Sequence, residues 1–169
     1  MVKYTSEYTF EFLENMDELN PMGTILWILN PHKKPPHLGI SSHGKYFSLK
    51  FNGKDEHVNV LEFFKFTSTR NIPLIAIKLK QEVTLTQLTS AFQQFSKANS
   101  LSNSCLKPIL IALKINKGSI EKLTDLLVHL NEEQLIEKSY GSNIKPDFSG
   151  IPFYTTDHLS NYLNRINHA

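Results

Sequence analysis

The chain has 169 residues, of which 40% are hydrophobic and 11% aromatic, a composition typical of a globular protein. This length suits one domain with a single core, so we predict one domain over residues 1–169. The formal net charge of +2 is carried by scattered single lysines, which argues against a nucleic-acid-binding surface.

The only cysteine, Cys105, excludes an internal disulfide framework and metal sites rich in thiolates. The histidines other than His37 and His43 are scattered without the spacing of metal ligands on a helix, so we predict no metal site. Residues 1–7 lack the apolar segment of a signal peptide, and no apolar run approaches the roughly 18 residues of a membrane span. We therefore expect no integral membrane association, and a cytoplasmic location or export by a specialised secretion system that needs no signal peptide.

The first elements along the chain are predicted strands. Residues 8–12 alternate aromatic and polar side chains, as a half-buried strand does, although residues 14–19 would also allow a short helix to start here. Residues 24–29 form a nearly continuous apolar run and predict a central strand that is buried on both faces. The three prolines of residues 30–36 predict a stiff loop that leads to His37.

A second group of strands follows this loop. Residues 38–42 predict a strand that turns through residues 43–44 into another strand over residues 45–51. In that strand Tyr46, Ser48 and Lys50 share one face. Asn-Gly at residues 52–53 indicates either a hairpin or a longer loop, since residues 54–57 are polar. Residues 58–66 fit a helix or a strand, and residues 73–79 predict a strand.

The later elements have the period of helices. Thr84 begins an amphipathic helix that we predict to run to about residue 98, and Cys105 directly precedes a predicted helix over residues 106–113. Ser119 begins another, after which residues 131–140 either extend that helix or form a further turn. The last predicted helix follows the capping residues 155–157, and its buried stripe comprises Leu159, Tyr162, Leu163 and Ile166. The predicted fold is α+β, with a mostly antiparallel sheet in the N-terminal half packed against C-terminal helices.

Cys105 and His37 are the candidate reactive groups. A thiol attacks a carbonyl as the thiolate, which a helix N-terminus and a nearby imidazolium both stabilise. Taken alone, a free cysteine is more often a small buried hydrophobic residue, and a histidine at a strand edge is more often structural. A cysteine that begins a central helix and a histidine that begins a central strand together suggest a catalytic pair.

Four short motifs occur in a fixed order: Gly-Thr-Ile-Leu-Trp-Ile at residues 23–28, His-Leu-Gly-Ile at 37–40, Gly-Lys-Tyr-Phe-Ser-Leu at 44–49 and Asn-Ser-Cys at 103–105. This order over residues 23–113 resembles the circularly permuted papain-like group, the permuted branch of the NlpC/P60 superfamily. The lecithin:retinol acyltransferase-like proteins also belong to that superfamily. In this group the histidine precedes the cysteine, the reverse of the papain order.

The resemblance implies a papain-like fold and a cysteine hydrolase, most directly a peptidase or amidase that cleaves an amide or isopeptide bond. It assigns Cys105 as nucleophile, His37 as base and Ser48 as the residue that orients the imidazole, with Asn52 and His43 as competitors for that third role. The reaction would pass through a thioester and needs no cofactor. The substrate would be a peptide, a protein or another acyl compound. The alternatives are a catalytically inactive permuted papain-like binding module and a lipid acyltransferase.

Overall fold

The computed structural model describes residues 2–3, 9–116 and 118–168, and its fold is α+β. Tyr8, the first residue of the first predicted strand, lies outside the described residues. The strands are β1 (Val2–Lys3), β2 (Thr9–Phe12), β3 (Ile25–Leu29), β4 (His37–Ser42), β5 (Lys45–Lys50), β6 (Gly53–Asn59), β7 (Leu74–Leu79) and β8 (Ile136–Ser142). The α-helices are α1 (Val60–Thr69), α2 (Leu85–Gln93), α3 (Leu106–Ala112), α4 (Leu123–Glu132) and α5 (Thr156–Asn167), and Met16–Leu19 forms a short 3-10 helix.

The strands form a mixed sheet in the order β1-β2-β8-β7-β3-β4-β5-β6. Among the strand pairs of the described residues, only that of β2 and β8 is parallel, so the prediction of a mostly antiparallel sheet is confirmed. As predicted, β3 is central, because it pairs with both β4 and β7 and all five of its residues are buried. Its β-branched and aromatic side chains fit this position, which has a covered face on each side.

Each face of the sheet carries its own hydrophobic cluster. Leu26 and Ile28 of β3 belong to the cluster that packs against α2, α3, α4 and α5. Ile25, Trp27 and Leu29 belong to the other cluster, which includes Val60 and Phe63 of α1 and two residues of the 3-10 helix. Alternate residues of β3 therefore face the four-helix side and the α1 side of the sheet.

The order of the elements differs from the prediction in two ways. The sheet is not confined to the N-terminal half, because β8 comes from the stretch predicted as a helix extension or turn and inserts between β2 and β7. Gln134 has a positive φ of 53° and ends the preceding helical segment, which allows residues 136–142 to become extended. The helices are not all C-terminal either, since α1 follows β6 and covers the second face of the sheet.

Two helices are shorter than predicted. Helix α2 ends at Gln93 because the chain turns back, and the Ala98 N–H donates to the Lys50 carbonyl at 2.7 Å. Helix α4 begins at Leu123 rather than near Ser119, since the Asp125 carboxylate accepts the N–H groups of residues 121 and 122 and caps the helix there. Residues 58–66, for which the sequence allows a helix or a strand, contain the end of β6 and the start of α1.

Candidate active site

His37 is the first residue of β4, directly after the proline-rich loop. It pairs with Leu29 of β3, and residues that pair across an antiparallel ladder share a face. His37 therefore belongs to the α1 side of the sheet, whereas its neighbour Leu38 packs into the cluster on the four-helix side. The imidazole makes no hydrogen bond to any group in the described ranges.

Cys105 is the N-cap residue of α3, as the sequence predicts, and its side chain makes no capping hydrogen bond. The loop before it is held by Ala98, which bonds to the end of β5, and by the Asn103 N–H, which donates to the Ser100 carbonyl at 3.1 Å. The thiol packs against the cluster on the four-helix side. The backbone N–H groups of Leu38 and of Cys105 itself are directed at the sulfur and favour the thiolate, which lowers the pKa of the thiol.

The contact with Leu38 is possible because β4 and β5 separate at this end. The last residue pair between them is Gly39 with Ser48. Beyond this pair, His37 and Leu38 of β4 and Leu49 and Lys50 of β5 still belong to their strands but do not pair with each other. The Cys105 sulfur meets the backbone at this open end of the ladder. His37 and Lys50 line cavities on both sides of the sheet here, one of about 250 Å³ on the four-helix side and one of about 470 Å³ on the α1 side.

The structure thus brings His37 and Cys105 to one cavity, the 250 Å³ one, without a direct bond between them. Within the part of the chain that the structure describes, no hydrogen bond joins the imidazole to the thiol. The sulfur instead interacts with the peptide N–H of Leu38, whose nitrogen is two covalent bonds from the His37 Cα. The two reactive side chains approach the open strand end from different faces.

Burial shifts both groups toward their neutral forms. It lowers the pKa of His37 to about 4, an effect that the negative charge of Asp55 opposes and the positive charge of Lys50 reinforces. It raises the pKa of Cys105 to about 11, and the two backbone N–H donors only partly offset this. At neutral pH the site therefore contains a neutral imidazole and a protonated thiol.

Ser48 shares the α1 side with His37, but it does not bind the imidazole. Its Oγ donates to Asp55 Oδ2 at 3.1 Å, while Lys50 Nζ donates to Asp55 Oδ1 at 2.8 Å. Burial raises the pKa of the neighbouring Tyr46 hydroxyl, and Ser48 partly opposes this rise. Asp55 lies directly opposite Ser48 in β6. Asp55, and not Ser48, is therefore the charged group that could take the role of the orienting residue.

The two competitors of Ser48 lie elsewhere. His43 is in the turn at the far end of β4, six residues from His37, which corresponds to about 20 Å along a strand. There its Nε2 lies 3.4 Å from the Glu82 carboxylate. Asn52 is exposed in the turn between β5 and β6. The position of His43 excludes it from orienting His37.

The Tyr46 ring packs directly against β4 at Gly39. A Cβ atom on Gly39 would come within 2.4 Å of the Tyr46 ring and hydroxyl. The ring is held there by Phe63 of α1, which stacks on it at a centroid distance of 3.8 Å. Gly39 is thus required because an aromatic ring packs directly on the backbone.

Helix α5 forms the outer wall of the 250 Å³ cavity. The four residues of its predicted apolar stripe, Leu159, Tyr162, Leu163 and Ile166, all line the cavity. Tyr162 and Ile166 are only partly buried, so the stripe faces the cavity as well as the core. Phe51, half exposed, and Pro36 contribute further apolar lining. The polar groups in the lining include His37, Lys50, Ser104 and Cys105.

Sequence reasoning missed two residues of this site. Asp55 lies in the polar stretch over residues 54–57, for which the sequence allows a hairpin or a longer loop, and the two-residue turn after Lys50 pairs it with Ser48. Ser104, the middle residue of the Asn-Ser-Cys motif, has no predicted role, but it is buried and lines the cavity beside Cys105.

Comparisons of the chain with protein-family models, with curated proteins and with solved structures found no match. None of the helices in the described ranges is long and apolar enough for a membrane span. The same residues contain no group of three or more histidine, cysteine, aspartate or glutamate side chains arranged to hold a metal ion.

Proposed function

We propose that the protein is a cysteine-dependent acyl-transfer enzyme of the permuted papain-like type, a peptidase or amidase with Cys105 as nucleophile and His37 as base. One observation carries the proposal: His37 and Cys105 line the same cavity, where the peptide N–H that directly follows His37 favours the thiolate of Cys105. Rotation of the His37 side chain at the open strand end would carry the imidazole toward the sulfur. Catalytic hydrogen bonds are often long in unliganded enzymes and shorten when substrate binds.

The shifted pKa values favour a proton transfer that accompanies attack. The Cys105 sulfur would form a bond to the substrate carbonyl carbon while its proton moves to a ring nitrogen of His37. The imidazolium would then protonate the leaving amine as the carbon–nitrogen bond breaks, which leaves a thioester on Cys105. Water, activated by the neutral His37, would release the acid and regenerate the thiol.

Asp55 supports the charged intermediate in this scheme. Its carboxylate opposes the fall in the pKa of His37, so it stabilises the imidazolium relative to the neutral ring. Lys50 and Ser48 hydrogen bond to that carboxylate and fix its position. Ser48, the expected orienting residue, would then act on His37 through Asp55 rather than directly.

A second candidate is a binding domain of the same architecture without turnover. The lack of a hydrogen bond between imidazole and thiol favours it, as do the two pKa shifts away from an ion pair. These observations do not favour the lipid acyltransferase over either candidate.

Acylation of Cys105 by p-nitrophenyl acetate, followed by intact-protein mass spectrometry, separates the two candidates. We expect one acetyl group on the wild type and none on Cys105→Ala. His37→Ala should acylate roughly 100-fold more slowly or worse, the usual effect of losing a general base. The matched control is His32→Ala, since His32 is exposed in the loop before β4.

The pH profile adds a second criterion. The acylation rate should be nearly constant between about pH 5 and 10, because the reactive form contains a neutral imidazole and a protonated thiol. If His37→Ala and His32→Ala acylate at the wild-type rate, the enzyme proposal is wrong and the binding domain is favoured.

A further inference from the structure

Ser104, one of the residues that line the 250 Å³ cavity, has a buried hydroxyl without a partner in the described ranges. Among the described residues, the Ser104 Oγ makes no hydrogen bond, although Ser104 is only 2% exposed. A buried hydroxyl group without a partner is unfavourable, so such groups in native proteins usually bind something. Ser104 precedes the nucleophile Cys105 and lines the same cavity.

The rest of the cavity is suited to an apolar group. Leu159, Leu163 and Ile166 form one wall, and Leu49 and Pro36 lie among the residues that complete the lining. Lys50, the charged residue of the lining, is already paired with Asp55 at 2.8 Å. A volume of about 250 Å³ far exceeds the roughly 30 Å³ of one water molecule, so a large side chain or a short alkyl chain fits.

We infer that this cavity binds the acyl part of the substrate, that the acyl part is apolar, and that the Ser104 hydroxyl donates a hydrogen bond to its carbonyl oxygen. This rests on the proposed function, since the carbonyl must lie beside Cys105. During attack the oxygen becomes an oxyanion as the sulfur–carbon bond forms, and Ser104 keeps its proton while it donates to that oxygen. Ser104 is then a catalytic residue, and the apolar wall determines specificity.

The acyl group is tested with p-nitrophenyl esters that share one leaving group. Cys105 acylation is measured with acetyl, butyryl, octanoyl and N-acetylphenylalanyl esters. Each methylene buried in the cavity should raise the second-order rate constant about fourfold until the cavity is full. The octanoyl and N-acetylphenylalanyl esters distinguish a fatty acyl chain from an apolar amino-acid side chain. Equal rate constants for all four esters would overturn the inference and leave the role of Cys105 intact.

Ser104→Ala tests the hydrogen bond to the carbonyl. Loss of one oxyanion donor should lower the acylation rate at saturating ester by about 100-fold, with little change in the concentration that half-saturates it. Thermal stability should stay the same or rise, since the variant removes a buried hydroxyl without a partner. The control is Ser102→Ala in the same loop, where the side chain is exposed. A Ser104→Ala variant that is acylated at the wild-type rate overturns the role of Ser104.

Tyr162→Ala and Asn161→Ala form a matched pair for the apolar wall, because Tyr162 lines the cavity and its neighbour in α5 is exposed. We expect only Tyr162→Ala to reduce the preference for octanoyl over acetyl.

A measurement without catalysis separates this inference from the proposed function. Cys105→Ala is titrated calorimetrically with octanamide and with N-acetylphenylalaninamide. Saturable binding of either amide, weakened by Ser104→Ala, supports the subsite even if no ester acylates Cys105, a result that would contradict the proposed function alone. If neither amide binds, the subsite is wrong.

Discussion

Alkylation of Cys105 offers a direct test of the electrostatics of the site, because it is the only cysteine in the chain. A thiol with a pKa of about 11 is about 0.01% thiolate at pH 7, compared with about 3% for an ordinary thiol with a pKa near 8.5. The thiolate population is therefore about 300-fold smaller. A thiolate of higher pKa is also more nucleophilic, and this returns a factor of about 10. Burial should thus slow alkylation roughly 30-fold.

The assay compares iodoacetamide labelling of the folded protein with that of the protein unfolded in urea, between pH 6 and 10.5. In the unfolded protein the rate should level off near pH 8.5. In the folded protein its logarithm should keep rising with unit slope to at least pH 10. Restricted access alone would lower the rate at every pH but leave the midpoint near 8.5. A folded-state midpoint at or below 8.5 would refute the burial argument and would indicate that an imidazolium stabilises the thiolate.

Two further predictions concern stability. Burial lowers the pKa of His37 to about 4, so between about pH 6.5 and 4 the unfolded chain binds more protons than the folded protein. The free energy of unfolding therefore falls as the pH drops through this range, and His37 accounts for about 3 kcal/mol of the loss. Urea unfolding at pH 7 and pH 4 should show a smaller loss for His37→Gln than for the wild type, and equal losses would contradict the assignment. Gly39→Ala should destabilise the protein by about 1–3 kcal/mol because the new methyl group meets the Tyr46 ring. Gly118→Ala is the control, since nothing lies within 4 Å of its Cβ position, and equal urea midpoints for the two variants would contradict the packing argument.

Local sequence patterns predict the elements that carry the two reactive groups. The apolar run of β3 and the start of α3 after Cys105 are both where the sequence places them. The capping residue Thr155 begins α5 as predicted, because its side chain accepts the N–H of His158. In each case the determining interaction is local, either a cap or a short apolar run, so the signal is contained in a few neighbouring residues.

Asp55 shows what a local pattern does not reveal. Residues 54–57 are polar and resemble a loop when viewed alone, yet they form an edge strand whose pairing is set by the turn before it. Because Lys50 pairs with Gly53, the register places Asp55 opposite Ser48. The sequence allows either a two-residue turn at residues 51–52 or a longer loop, and only the two-residue turn predicts this pair. β8 was missed for a related reason, since its place between β2 and β7 depends on partners that are distant in sequence.

The environment of the site determines which kind of cysteine chemistry is available. Moving the thiol proton from a group of pKa about 11 to one of pKa about 4 costs about 10 kcal/mol before the two new charges attract each other. At about 4 Å and an effective dielectric constant near 20, that attraction returns about 4 kcal/mol. A preformed thiolate–imidazolium pair is therefore disfavoured by about 6 kcal/mol.

A turnover of about one per second corresponds to a barrier of about 17 kcal/mol, so this cost is compatible with catalysis if it is incurred only in the transition state. There, Asp55 would stabilise the imidazolium and Ser104 the oxyanion. Under the proposed function, the buried site favours a mechanism in which His37 acts as a general base during attack, in the manner of a serine hydrolase, over one in which the resting protein stores a thiolate.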